Sequence, residues 1–147
     1  MKVWIGSDHA GFHMKNRLRD MLRAGGHDVH DVGASGAESC DFPDYALMVG
    51  RAIASGEAQR GVLVCGTGVG MSMAANKVRG VRAVATSDPV TARLSRDHND
   101  ANVVCIGERI VGMETAEEIV RVFLSEPHAG GERHSRRIAK IMAIETE

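Results

Sequence analysis

Apolar and polar residues fall in blocks along the chain, and the period changes from block to block. "KVWIGS" (2–7) is a short apolar run that reads as a buried strand. In "MKNRLRDMLRAGG" (14–26), Met14, Leu18, Met21 and Leu22 recur at helical spacing, and Gly25–Gly26 supplies a stop. "HDVHDVG" (27–33) predicts a second strand. "DFPDYALMVGRAIASG" (41–56) predicts a helix, with an acid and Pro43 near its start and Gly56 at its end. "GVLVCG" (61–66) predicts a third strand, "MSMAANKV" (71–78) a short helix and "VRAVATS" (81–87) a fourth strand. Asp88–Pro89 is a helix start, and "NVVCIG" (102–107) a fifth strand. Thr115 and Glu118 have the spacing of a capping box before "IVRVFL". A last helix, roughly 133–145, is expected to bury Ile138, Ile141 and Met142.

Five short apolar runs separated by helices imply an α/β fold. The expected architecture is one domain over 1–147, a Rossmann-like three-layer sandwich around a mostly parallel five-stranded sheet. No linker, repeat or low-complexity tract interrupts it. In such sheets ligands bind outside the carboxyl ends of the strands.

Composition narrows the function. The net charge is −1 and aromatics are only 3%, which argues against nucleic acid as a partner. No apolar run is long enough to span a membrane, and the first strand begins at once, without a signal-peptide pattern. Three cysteines (Cys40, Cys65, Cys105) without metal-like spacing suit a reduced, cytoplasmic protein with no bound metal.

The strand ends carry the candidate chemistry. The first ends in Ser7-Asp8-His9, the third in Cys65-Gly66-Thr67-Gly68, the fourth in Ser87-Asp88 and the fifth in Gly107-Glu108-Arg109. Asp88 reads as a helix cap. Asp8 and His9 suit a cap or a binding site equally.

"CGTGVGM" (65–71) matches neither well-known nucleotide signature: Met71 stands where a dinucleotide loop needs glycine, and no Lys-Ser/Thr follows. Glycines opening a helix make a nest of N–H groups for a phosphate or a developing oxyanion. The same glycines also suit a tight turn that binds nothing. Cys65 sits at the entrance, where the helix field favours a thiolate able to act as base or nucleophile. Buried free cysteines commonly serve as small apolar residues, and that reading fits Cys105. Cys40, in a polar loop, has no evident role. Arg133 and Arg137 share one helix face, as an arginine pair for a phosphate or as part of a solvated basic face with His134, Arg136 and Lys140.

Seven stretches, in order, carry a resemblance: "GSDHAGF", "DFPDYA", "CGTGVGMSMAANK", "GVRAV", "SRDHNDANV", "GERIVG" and "RHSRRI". Together the sequence resembles ribose-5-phosphate isomerase B, in the wider group that includes the galactose-6-phosphate isomerase subunits. The resemblance implies an aldose–ketose isomerase of the pentose phosphate pathway that takes a sugar phosphate and needs no cofactor. It implies that Cys65 is the base moving a proton between C1 and C2. Relatives of another branch use a Glu at the position of Met71. Gly66, Thr67, Gly68, Val69 and Gly70 would hold the enediolate oxygen, with Thr67 in a catalytic role, and His98 would open the sugar ring. Asp8, His9 and Asn99 would bind the sugar, Tyr45 would line the pocket, and Arg109, Arg133 and Arg137 would hold the phosphate. The same chemistry on allose 6-phosphate, galactose 6-phosphate or a tetrose phosphate is the alternative. A sensor that binds a sugar phosphate without turning it over is another, but it leaves Cys65 and His98 without a task.

His98 and Asn99 precede the fifth strand, whereas Arg109 follows it. Five strand residues span roughly 17 Å, too far for one small pocket. The expected assembly is therefore a homodimer or dimer of dimers whose sites are shared between subunits.

Overall fold

A computed structural model describes residues 1–146. Five strands form one sheet: β1 (Lys2–Ser7), β2 (Asp28–Asp31), β3 (Arg60–Cys65), β4 (Ala83–Ala85) and β5 (Val103–Gly107). Every neighbouring pair is parallel, and the spatial order is β2-β1-β3-β5-β4. Six helices join and flank the strands: α1 (Phe12–Ala24), α2 (Phe42–Ser55), α3 (Val69–Ala75), α4 (Pro89–Asn99), α5 (Met113–Ser125) and α6 (Glu132–Ile144).

Strand periodicity divides the core in two. Val3, Ile5, Val62, Val64, Val104 and Ile106 face α1, α4 and α5, where Leu18, Ala92, Ile119 and Phe123 are fully buried. Leu63, Cys65, Val103 and Cys105 face α2 and α3, against Val49, Met71 and Ala75. Each fully buried Leu, Ile or Phe contributes roughly 1.5–3 kcal/mol of transfer free energy.

Several boundaries differ from the sequence reading. α1 starts at Phe12, after a short 3-10 turn at His9–Gly11, and α3 starts at Val69. β4 has three residues because it is an edge strand paired only with β5. The capping box is absent: α5 begins after Gly112, which places Thr115 inside its first turn. Val111 and Met113 pack against the core and draw the helix start forward.

The final helix is also different. α6 lies against α4, with Ile138 and Met142 half-buried, Ile141 45% exposed and Ile144 64% exposed. Both sheet faces are already covered, so α6 has no sheet left to pack on.

A charged network pins β2 to α1. Lys15, only 2% exposed, donates to both Asp31 oxygens at 2.8 and 2.7 Å, and Arg19 adds a bond at 3.1 Å. Burial opposes ionisation of Asp31, but the bonds from Lys15, the Gly33 N–H and Arg19 outweigh it and hold its carboxyl below the usual value. A lowered native value gives stability that is present above about pH 4 and lost as pH falls through the depressed range. We expect Asp31→Asn to lower the unfolding free energy by about 3–5 kcal/mol at neutral pH, because it leaves Lys15 buried without its counter-charge. Urea unfolding from pH 7 to pH 2 checks this, and the variant's acid slope should be shallower than the wild type's.

Candidate active site

The register sets Ser7 beside Val64 and Cys65 beside Gly107, so the loops after β1, β3 and β5 leave the sheet at one level. The chain reverses direction across the sheet between β1 and β3, the usual place for a ligand crevice.

After β1, Asp8 is buried, and its Oδ1 accepts from the Ala10 N–H at 2.9 Å and the Gly11 N–H at 3.1 Å. Oδ2 has no hydrogen-bond partner among the described residues. Asp8 is therefore a cap with one oxygen to spare. His9 Nδ1 accepts from the Cys40 N–H at 3.2 Å. In the neutral ring this bond puts the proton on Nε2, which becomes a donor. Cys40 thus acts through its backbone, a function that its side chain gave no reason to expect. The Cys40 side chain, toward which the hydroxyl can donate, with burial and the charges of Asp44 and Asp8, raises the Tyr45 hydroxyl above its ordinary value, which sets Tyr45 beside this loop.

After β3, Cys65 ends the strand and is 5% exposed. Its Sγ accepts from the Gly68 N–H at 3.1 Å. Gly68 holds a left-handed φ of 80°, and a methyl there would lie 3.0 Å from the Cys105 carbonyl oxygen. Thr67 Oγ1 accepts from the Val69 N–H, and Val69 is 46% exposed at the mouth. A methyl on Gly66 would lie 3.2 Å from Arg109 Nη1, and one on Gly70 would lie 2.8 Å from the Phe42 ring. The glycine loop is thus bracketed by a guanidinium and an aromatic ring. Phe42 was not anticipated; its only sequence signal is the position at the start of α2. Met71 is fully buried, so no carboxylate occupies the following turn. Burial, with Cys65 as a neighbour, pushes the Cys105 thiol far up, and it serves as core.

After β5, the Arg109 N–H donates to the Gly66 carbonyl at 3.1 Å and the Glu108 N–H to the Cys65 carbonyl at 2.9 Å. After β4, Asp88 accepts from the Thr91 N–H at 2.7 Å and is a helix cap, as its sequence suggested.

The remaining candidates form a second group. His98 and Asn99 close α4, and β5 separates them from Arg109. Asp100, at a left-handed φ of 47°, ends that helix, held by Arg96 at 2.7 Å and Arg82 at 3.0 Å. His98 stacks on His134 of α6, with ring centres 4.5 Å apart. Arg133 and Arg137 flank His134 on α6 and are exposed. Desolvation, the neighbouring His98 and the Arg133 and Arg137 guanidiniums hold the His134 imidazole below its usual value. The chain therefore brings Asp8, His9, Tyr45, Cys65, the glycine loop and Arg109 to one edge. It brings His98, Asn99, Arg133 and Arg137 together elsewhere.

A family model for ribose/galactose isomerase matches residues 3–141. The chain belongs to the ribose/galactose isomerase family. Within that family, ribose-5-phosphate isomerase B of Escherichia coli is 47% identical over 144 residues, 98% of this chain and 96% of that protein. The solved structure of the Clostridium thermocellum ribose-5-phosphate isomerase B superposes with a TM-score of 0.97 at 48% identity, covering 99% and 98% of the two chains. That of Mycoplasma genitalium, with bound ribulose-5-phosphate, gives 0.93 at 39% identity and covers 99% and 97%. The ribose/galactose isomerase fold is thus matched along almost its whole length.

The left-handed Gly68 is the joint of this loop. We expect Gly68→Ala to cost about 1–3 kcal/mol of stability from backbone conformation and crowding against Cys105. Denaturant unfolding measures it, and isomerase activity at full occupancy should fall with it, since the same N–H meets Cys65.

Proposed function

We propose that the chain interconverts ribose 5-phosphate and ribulose 5-phosphate through an enediolate. The observation that carries this reading is a buried cysteine sulfur held by the Gly68 N–H of a glycine loop, with an arginine packed over that loop.

The roles follow from the chemistry. In the aldose-to-ketose direction the Cys65 thiolate takes the C2 proton. The C–H electron pair forms the C1–C2 double bond, and the carbonyl oxygen gains negative charge. N–H groups of Gly66 to Gly70, with Thr67, stabilise that charge where water is excluded. The proton then returns to C1, and the O2 hydroxyl proton moves to O1 as O2 becomes the carbonyl. Asp8, His9 and Asn99 orient sugar hydroxyls, and Tyr45 lines the pocket. His98 moves the proton that opens the furanose. Arg109, Arg133 and Arg137 hold the phosphate, whose binding positions the reacting carbons. No further group is needed for this proton transfer.

These roles require that two subunits share each site. His98, Asn99, Arg133 and Arg137 stand apart from Cys65 within the chain, and the exposed apolar face of α6 supports association as a homodimer or dimer of dimers. The three free cysteines support a cytoplasmic location. Among the described residues no helix is long and apolar enough to cross a membrane.

Complementation tests both the roles and the sharing. Cys65→Ala should abolish exchange of the C2 proton with solvent while phosphate binding persists, and His98→Asn should lose turnover of cyclic substrate. Mixed under subunit exchange, the two inactive variants should regain activity, because each heterodimer has one site with both residues intact. No recovery, despite heterodimer formation, would sink the sharing. Retained turnover by Cys65→Ala would remove Cys65 as the base.

A family that spans ribose and galactose isomerases supports a second reading, the same proton transfer on another aldose phosphate. A panel of aldose phosphates compared by kcat/KM decides between them, and we expect ribose 5-phosphate to lead by at least about tenfold.

A further inference from the structure

The start of α1 lacks a cap of its own. Its N-cap residue is Gly11, which offers no side chain. No larger residue fits there, because a methyl on Gly11 would lie 2.5 Å from the Val64 carbonyl oxygen. The nearest polar side chain in sequence, Asp8, is committed to the preceding 3-10 turn through the Ala10 and Gly11 N–H groups. The first turn of a helix has N–H groups without partners, and they favour an anion.

The partner comes from across the sheet. Glu108 Oε2 accepts from the Met14 N–H at 3.0 Å, over 94 residues of chain. Glu108 itself is anchored, since its N–H donates to the Cys65 carbonyl and the next N–H, that of Arg109, donates to the Gly66 carbonyl. Among the described residues this is the one hydrogen bond that ties the loop after β5 directly to the segment after β1. These two segments carry Arg109 and His9, and Cys65 lies on the strand between them.

We propose that Glu108 is a positioning residue: by capping α1 from the far loop it sets the distance between His9 and Arg109, and so the fit of the sugar phosphate held between them. The proposal rests on the sugar role given to His9 and the phosphate role given to Arg109. Glu108 touches neither substrate nor the reacting atoms. What matters is an acceptor oxygen at the right reach, more than the charge.

The experiment compares Glu108→Ala, Glu108→Asp, Glu108→Gln and Arg109→Ala with the wild type. It measures kcat and KM for ribose 5-phosphate, the inhibition constant of inorganic phosphate, and Tm. Glu108→Ala removes the acceptor, and Glu108→Asp withdraws it by one methylene while keeping the charge. Both should raise KM and the phosphate inhibition constant by on the order of fivefold, with kcat within about twofold. Glu108→Gln still presents an oxygen to Met14 and should stay within about twofold of the wild type on both. Arg109→Ala should weaken phosphate at least as much as Glu108→Ala. A loss in Arg109→Ala with none in Glu108→Ala or Glu108→Asp overturns the proposal alone. No loss in any of the three overturns the phosphate reading as well. A lower Tm with unchanged KM makes Glu108 a purely structural cap, and a Gln variant as damaged as Ala makes charge the active property; each overturns the proposal. Should the alanine variant fail to fold, the Asp and Gln pair decides.

Discussion

The C-terminal edge of this sheet is packed so tightly that main chain must stand where side chains normally would. A methyl on Gly107 would meet Thr67 at 2.6 Å, one on Gly11 the Val64 carbonyl at 2.5 Å, and one on Gly68 the Cys105 carbonyl at 3.0 Å. With no side chains there, main chain packs directly on main chain, and the Gly11 and Gly68 N–H groups reach the Asp8 carboxylate and the Cys65 sulfur. The crowding that forbids a β-carbon therefore also sets the hydrogen bonds of these turns. It lets the turn after β3 fold back sharply enough for the Gly68 N–H to reach the Cys65 sulfur. Van der Waals exclusion, rather than any single polar contact, shapes the site.

The same exclusion has a cost that appears one strand away. A glycine that admits close packing cannot cap a helix, so α1 opens with unsatisfied donors. The remedy is a carboxylate from another loop, and the loop chosen is the one that carries Arg109. Packing, capping and site geometry are thus coupled through a few atoms. A local defect in one element is repaired by a neighbour whose backbone also holds the Cys65 and Gly66 carbonyls.

Much of this was legible in the sequence, for a physical reason. Buried parallel strands are short apolar runs, and "GVLVCG" and "NVVCIG" cannot be mistaken for exposed segments. Asp88 before Pro89 and Cys105 within an apolar strand were also readable, because their environments are local. What was not legible depends on distance in space. The bond from Cys40 to His9 is made by main chain, so residue type carries no signal for it. Phe42 looks like any helix-start aromatic until Gly70 is set beneath it. Thr115 and Glu118 have the right spacing for a cap, but tertiary packing of Val111 and Met113 moves the helix start. The periodic apolar face of α6 is real, but the helix it packs on is α4, which leaves Ile141 exposed.

That last point bears on the chemistry. Removing a proton next to a carbonyl requires donors that need not reorganise and a space from which water is kept out. In the single chain the donors are in place but the enclosure is not: Val69 is 46% exposed, Ile110 57%, and Arg109 faces solvent. The α6 surface has the complementary deficiency. It carries arginines and a stacked histidine pair with no reacting group beside them, next to Ile141 and Ile144 left in water. On the shared-site reading one association remedies both. Burying the apolar residues of α6 contributes the binding energy, and the same approach carries His98 and two cations to the open side of the glycine loop. The hydrophobic contact and the closure of the site are then a single event, so the full reaction would be a property of the assembly rather than of the fold alone.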